Sequence, residues 1–451
     1  MPLHDLIIIG AGSGNSIIGP EHDDMDVAIV ERGLFGGTCM NVGCIPSKML
    51  VYTAEIAELA ANIGPKLGVH TTFAGADWPA IRDRVFNRID PIAADGEQYR
   101  KGLDNVTVYQ HDAVFTGPKQ VQVGDETITA DKIVIAAGAR PWVPPIDGLD
   151  AVGFHTSDTI MRLDTLPRRL AVLGGGYIAT ELGNVFGMLG SEVTFIVRSD
   201  AMLRNEDEAI SAAFTDAYKQ KFDIRFMSGV TAVRREGDEI VLDLFPSHEE
   251  LRVDEVLVAT GRVPNGDQLN LAAHGFALDE KGYLITDSNL LTNIDGVFAL
   301  GDVTNPVQLK HVANHEAKVV RHNLANPDSM IEVNHEFIPH AVFGHPQVAS
   351  VGMTERDAIT AGLDVTCHIQ HYGSAAYGWA MEDTTSIVKL VMDSGSRRLL
   401  GAHICGPQAS TLIQQLIQGM VFGQTVDQMA AGQYYIHPAL PEVIEQALLE
   451  L

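Results

Sequence analysis

The chain has 451 residues, 46% apolar and 20% charged, a balance that marks a folded globular protein and excludes disordered and fibrous classes. A formal net charge of −27 argues against nucleic acid and anionic membrane surfaces as partners, so an anionic cofactor needs arginines placed locally. Four cysteines are too few for a disulfide scaffold, and neither a signal peptide nor an apolar run of the ~20 residues that span a membrane is evident; a cytoplasmic enzyme of roughly two to four domains is expected.

Residues 6–9 form a continuous apolar run, the pattern of a buried parallel strand. The run feeds Gly10-Ala11-Gly12-Ser13-Gly14-Asn15, and a second strand, 27–30, ends at Glu31. Gly10 and Gly12 permit a tight turn and the close approach of a pyrophosphate to a helix N-terminus, and Glu31 is placed for ribose hydroxyls. Asn15 replaces the third glycine of this fingerprint, and Pro20 shortens the helix.

Next comes Gly36-Gly37-Thr38-Cys39-Met40-Asn41-Val42-Gly43-Cys44-Ile45-Pro46-Ser47-Lys48. In an undistorted helix, positions five apart have Cα atoms ~8.6 Å apart, whereas a disulfide needs roughly 4.4–6.8 Å. Either the thiols never pair or the turn is bent, with Gly37 and Gly43 supplying the freedom. Two merely buried small residues would not need those glycines or the nearby Lys48, so a redox disulfide is the favoured reading.

A helical pattern covers 49–62 and another 78–102, while 106–109, 120–123 and 126–129 alternate like short antiparallel strands. Residues 132–141 return to a buried strand containing Gly138, and Pro141, Pro144 and Pro145 mark a linker, with a boundary near 150. The plan then repeats. A strand at 169–173 leads into Gly174-Gly175-Gly176-Tyr177-Ile178-Ala179, a strand follows at 192–197, and 256–264, with Gly261, echoes 133–141. No acid ends the second strand of this copy (Val197), and Arg198 and Arg204 stand where a 2′-phosphate would lie, which favours NADPH over NADH.

Residues 297–302 read as a buried strand ending in Gly301-Asp302, whose carboxylate suits sugar-like hydroxyls, although a plain Gly-Asp turn is as good a reading of that pair alone. Past 335 the texture is antiparallel, with strands at 348–352, 365–370 and 385–392, and 412–422 is an apolar helix suited to packing on another subunit. His311 and His315 could share a helix face, but no third ligand accompanies them and no metal is expected. Cys367 and Cys405 read as buried, inert thiols.

Together GAGSGN…VE, GGTCMNVGCIPSK, GGGYIATEL, ATGRVPN, ALGDV and the C-terminal HPALPE resemble the flavoprotein disulfide reductases with two dinucleotide-binding domains, the group of glutathione reductase and dihydrolipoamide dehydrogenase. The resemblance implies an α/β fold of two Rossmann-like domains plus a C-terminal α+β dimerisation domain. The limits expected are 1–150 (FAD-binding), 151–265 (NADPH-binding), 266–335 (central, completing the FAD site) and 336–451 (interface). FAD would engage Gly10, Gly12, Gly14, Glu31, Gly37, Thr38, Lys48, Gly138, Gly301 and Asp302. NADPH would engage Gly174, Gly176, Tyr177, Ile178, Arg198, Arg204 and Gly261.

By the same resemblance, Cys39 attacks the substrate disulfide and Cys44 lies against the flavin. Lys48, paired with Glu181, stands near flavin N5, and Tyr177 covers the nicotinamide pocket. His437 and Glu442 are the base and its orienter, given to the active site of the other subunit of a homodimer. The substrate is a low-molecular-weight disulfide. The run 337–354 holds no arginine for a poly-carboxylate such as glutathione disulfide, no acid at Val197 favours NADH, and the chain ends without a second cysteine pair. The GSGNSI turn and the ending GQYYIHPALPEVIEQALL resemble members that act on sugar-linked cysteinyl thiols. A flavin-binding module without disulfide chemistry would have lost a cysteine, Lys48 or the His437–Glu442 pair, and none is lost.

Overall fold

The computed structural model describes residues 2–451. The chain forms two compact units, each built from three stretches: one takes residues up to Ser47, Arg82–Trp142 and Gly261–His335, the other Lys48–Ile81, Val143–Thr260 and Glu336–Leu451.

The first unit is organised on a seven-stranded sheet in the order Val106–Tyr109, Val27–Val30, Leu3–Ile9, Glu126–Ile135, Gln120–Val123, Ala113–Gly117, with Val297–Ala299 also paired to Glu126–Ile135. Leu6, Ile7 and Ile8 are wholly buried, because this central strand is covered on both faces. The strand Val106–Tyr109 runs parallel to Val27–Val30, not antiparallel as its alternation predicts. It is the sheet's edge strand and only Val106 is fully buried, so its residues alternate as an antiparallel strand's would.

The two strands expected across 126–141 are instead one ten-residue strand, Glu126–Ile135, and a short one, Ala139–Pro141. The long strand pairs antiparallel with Gln120–Val123 through its first half. Its second half lies between Leu3–Ile9 and Val297–Ala299, parallel to both. That change of neighbours is why its sequence turns from alternating to continuously apolar midway. The helix expected after the glycine loop is reduced to two 3₁₀ turns, Gly14–Ser16 and Pro20–His22. Pro20 has no N–H to give, and Gly19 before it is extended (φ −145, ψ −177).

The second unit repeats the parallel arrangement in four strands, ordered Asp223–Arg225, Glu192–Ile196, Arg169–Leu173, Glu255–Val258. The helix Tyr177–Met188 packs on this sheet with Ala179, Leu182, Val185 and Phe186 buried. A three-stranded antiparallel sheet, Gly229–Glu236, Glu239–Phe245 and Glu250–Val253, adjoins it in sequence. Past residue 336 the sheet is antiparallel and five-stranded: His340–Val342, Val348–Gly352, Leu399–Cys405, Ile387–Asp393, Val365–His371.

The apolar helix Ala409–Val421 differs from expectation. Its Leu412, Ile413, Leu416 and Met420 belong to this chain's own core, together with Val443 and Ile444 of Pro441–Leu449. Of its large apolar side chains only Val421 is exposed, with Phe422 just past the helix end also exposed. Cys405 is buried on Leu399–Cys405, a strand the sequence pattern did not reveal, whereas Cys367 is half-buried rather than enclosed. Burial pushes the Cys405 thiol up to about 12. No described helix is long and apolar enough to cross a membrane.

Candidate active site

The two glycine loops use one solution twice. Gly10 (φ 103) and Gly174 (φ 131) each pass beneath the carbonyl that follows a neighbouring strand, and a Cβ would run into Ala136 O in one loop and Ala259 O in the other. Their amides donate to the ends of the second strands, Gly10 N to Val30 O at 2.8 Å and Gly174 N to Ile196 O at 3.0 Å. Only glycine fits such a crossing, and the result is a backbone surface open to a phosphate. Asn15, in place of the third glycine, is gripped by Arg100, whose Nε donates to Asn15 Oδ1 at 2.8 Å. The close packing expected of that glycine falls to Gly14, where a Cβ would stand 2.9 Å from Ala136 Cβ.

Glu31 is oriented by two amides: Ala11 N donates to Oε2 at 2.7 Å and Gly33 N to Oε1 at 2.8 Å. Asp302 follows Gly301, whose N–H is taken by the buried Glu316 at 2.6 Å. Burial pushes the Asp302 carboxyl above its ordinary range, while Arg262 and Lys310 pull it back. An acceptor so placed fits the hydroxyls of a nucleotide cofactor.

The cysteines do not share a helix. Gly37–Asn41 and Cys44–Glu58 are separate helices, broken at Val42 (φ −143, ψ 16). A Cβ at Gly43 would lie 2.8 Å from Thr38 O and 3.3 Å from Cys39 Cα, so glycine lets the chain fold back on the first helix. Asn41 Nδ2 fastens the turn by donating to Phe35 O (2.9 Å) and Gly37 O (3.0 Å). The sulfurs stand as two thiols, Cys39 half-buried and Cys44 exposed. A hydrogen bond with Cys44 holds the Cys39 thiol far above its usual range, burial and charge repulsion from Cys44 add to this, and the Lys310 ammonium opposes it. Cys39 therefore needs a base to become a nucleophile.

Lys310 escaped the sequence reading. It opens the helix Lys310–Ala325, and its Nζ donates to Ser13 Oγ of the glycine loop at 2.8 Å. His311 and His315 lie on the same helix, and among the described residues no cluster of three or more His, Cys, Asp or Glu is set to hold a metal.

In the second unit Lys48 Nζ meets Glu181 Oε2 at 2.6 Å. Tyr177 and Ile178 open the helix after Gly176, with Tyr177 44% exposed. Leu203 N donates to Gly175 O at 2.8 Å, which brings the backbone beside Arg204 onto the second glycine loop. Arg198 and Arg204 are exposed. Gly261 belongs to the first unit. With Gly138 it flanks the pairing of Ala139–Pro141 with Arg262–Pro264, Trp142 N donating to Gly261 O and Asn265 N to Gly138 O. Thr38 is exposed on the first cysteine helix.

At the C-terminus His437 Nδ1–H donates to Glu442 Oε1 at 2.7 Å, since a carboxylate can only accept. Ala439 N donates to Oε2 at 3.1 Å. The His437 bond holds the Glu442 carboxyl below its ordinary range. Nε2 is thereby left as the basic nitrogen.

Two crossing glycine loops, a cysteine pair on a broken turn and a carboxylate-oriented imidazole define a dinucleotide-dependent disulfide reductase. Residues 4–317 match the family described as pyridine nucleotide-disulphide oxidoreductase, and 338–448 match its dimerisation domain. The chain belongs to this family: it is an NAD(P)H-dependent oxidoreductase of disulfides that works with FAD.

Along its whole length it is 47% identical to mycothione reductase of Mycobacterium tuberculosis, all of each chain being covered. It is 33% identical to glutathione reductase of Burkholderia cepacia, covering 97% of each. Among solved structures, the HOCl-induced flavoprotein disulfide reductase of Escherichia coli, in its Cu(II) complex, superposes with a TM-score of 0.88 at 26% identity, all of each chain covered.

Proposed function

We propose that this protein reduces mycothione, the disulfide of a sugar-linked cysteinyl thiol, using NADPH, as a cytoplasmic homodimer with shared active sites. The observation that carries this reading is the full-length identity of 47% to a mycothione reductase. The absence of arginine from 337–354 supports it over glutathione disulfide, whose carboxylates would need cations. Val197 where an acid would favour NADH, together with the exposed Arg198 and Arg204, supports NADPH.

When bound, FAD would supply the relay of two electrons from NADPH to the Cys39–Cys44 disulfide. Gly10, Gly12, Gly14, Glu31, Gly37, Gly301 and Asp302 would hold that cofactor, and Gly174, Gly176, Arg198 and Arg204 would hold NADPH. Cys44 would be the thiol that faces FAD. Cys39, released as a thiol, passes its proton to Nε2 of the partner's His437, attacks one substrate sulfur and expels the other as a thiol, which takes that proton back. Attack of Cys44 on Cys39 then closes the disulfide and frees the second thiol. Glu442 fixes the imidazole tautomer.

The test is a turnover assay of the FAD-loaded enzyme on mycothione, glutathione disulfide and lipoamide, with NADPH and NADH in parallel. Mycothione with NADPH is expected to give the highest kcat/KM. Preference for glutathione disulfide or lipoamide would refute the substrate, and equal use of NADH would refute the arginine argument.

A further inference from the structure

We propose that Phe343 is a positioning residue for the Lys48 ammonium, holding the Lys48–Glu181 pair from two sides and so fixing a charge that acts on the flavin. The inference rests on the reading that places Lys48 beside the flavin.

Glu181 is buried, its side chain 6% exposed, and a buried carboxylate is costly unless both oxygens are satisfied. Lys48 Nζ takes Oε2 at 2.6 Å, and the Phe343 backbone N–H donates to Oε1 at 2.9 Å. The same residue's ring lies under the lysine, with Nζ 4.7 Å from the ring centroid, inside the ~6 Å reach of a cation–π contact. One residue thus touches both members of the pair, by amide and by aromatic face.

Its loop is held firmly. It follows the strand His340–Val342 and turns at Gly344, where a Cβ would stand 2.6 Å from the hydroxyl of buried Tyr218. Tyr218 Oη in turn donates to Thr180 O at 3.2 Å, one residue before Glu181, and Lys221 Nζ donates to His345 O at 3.3 Å. Lys48 itself is a turn past Cys44 on the helix Cys44–Glu58. With its side chain 36% exposed, the ammonium would gain little from the carboxylate alone. The ring removes water from one face and narrows its positions. Phe343 lies within the dimerisation-domain match, whereas Lys48 and Glu181 lie in the other, so the clamp joins the two regions.

The experiment compares FAD-loaded wild type with Phe343→Leu, Phe343→Tyr and Lys48→Met. It measures the flavin midpoint potential by dye equilibration and the rate of flavin reduction by NADPH in stopped flow. Removing the Lys48 charge is expected to lower the potential, since a cation favours the electron-rich flavin. Phe343→Leu should shift it partway in the same direction and slow flavin reduction about two- to thirtyfold, with KM for NADPH little changed. Phe343→Tyr, which keeps a π face, should restore both. Phe343→Met replaces Phe343→Leu if the latter does not retain FAD. Wild-type potential and rate in the Leu or Met variant, with Lys48→Met shifted, would overturn the role of Phe343 alone. An unshifted Lys48→Met would overturn the placement of Lys48 and the proposal with it.

Discussion

Cys39 and Cys44 carry the same group in different settings, and the difference decides which sulfur needs help. The Cys39 thiol is raised first by its hydrogen bond with Cys44, then by burial and by repulsion from the Cys44 charge, with Lys310 pulling it down. A raised thiol stays protonated until the pH exceeds its shifted value, so each change has a definite sign. Cys44→Ser removes the repulsion and should move Cys39 alkylation by iodoacetamide to lower pH. Lys310→Met removes the opposing cation and should move it to higher pH. Mass spectrometry of the reduced, FAD-loaded protein across pH reads both midpoints, and profiles that overlay the wild type would refute this electrostatic account. The cysteines were legible because glycines flank them in sequence. Lys310 was not, because it reaches Ser13 across 297 positions and no local pattern marks it.

At the level of elements, the broken turn depends on Gly43 more than on any side chain. Gly43→Ala puts a methyl against backbone, Thr38 O at 2.8 Å, where no flexible group can yield. The variant should lose about 1–3 kcal/mol of stability and form the Cys39–Cys44 disulfide more slowly. Gly33→Ala is the control, since its Cβ would meet only Glu31 Oε1 at 3.5 Å, an ordinary contact. Denaturant unfolding and thiol titration during reoxidation measure the two effects, and parity of the two variants would remove the role given to Gly43. The sequence showed that a helix could not bridge the cysteines, because that follows from helical rise alone. It misjudged the direction of Val106–Tyr109 for a different reason, while residues 126–129 are antiparallel as their alternation predicts. Alternation reports which faces are covered, and an edge strand of a parallel sheet is covered much as an antiparallel strand is.

At the scale of the whole molecule, the repeat of strand, glycine loop and strand announced two dinucleotide-binding folds. The assembly of each compact unit from three separated stretches was not legible, because it depends on contacts between stretches and not on local pattern. The His437–Glu442 pair bears on the dimer. Glu442 is largely buried and already bonded, but His437 is 72% exposed, and Tyr434 and Ile436 just before it are also strongly exposed. A base prepared in this way is useful only if a proton donor is brought to its open side, and the dimerisation domain that carries it supplies a second chain. If the donor is the partner's Cys39, His437→Gln and Cys39→Ser proteins are each inactive alone but complementary. Mixed in equal amounts after dissociation and reassociated at random, half the dimers pair one variant with the other. Each such dimer keeps one intact site of two, so activity should return to about a quarter of wild type. Action of His437 within its own chain predicts no recovery at all, since neither variant would then hold a complete site.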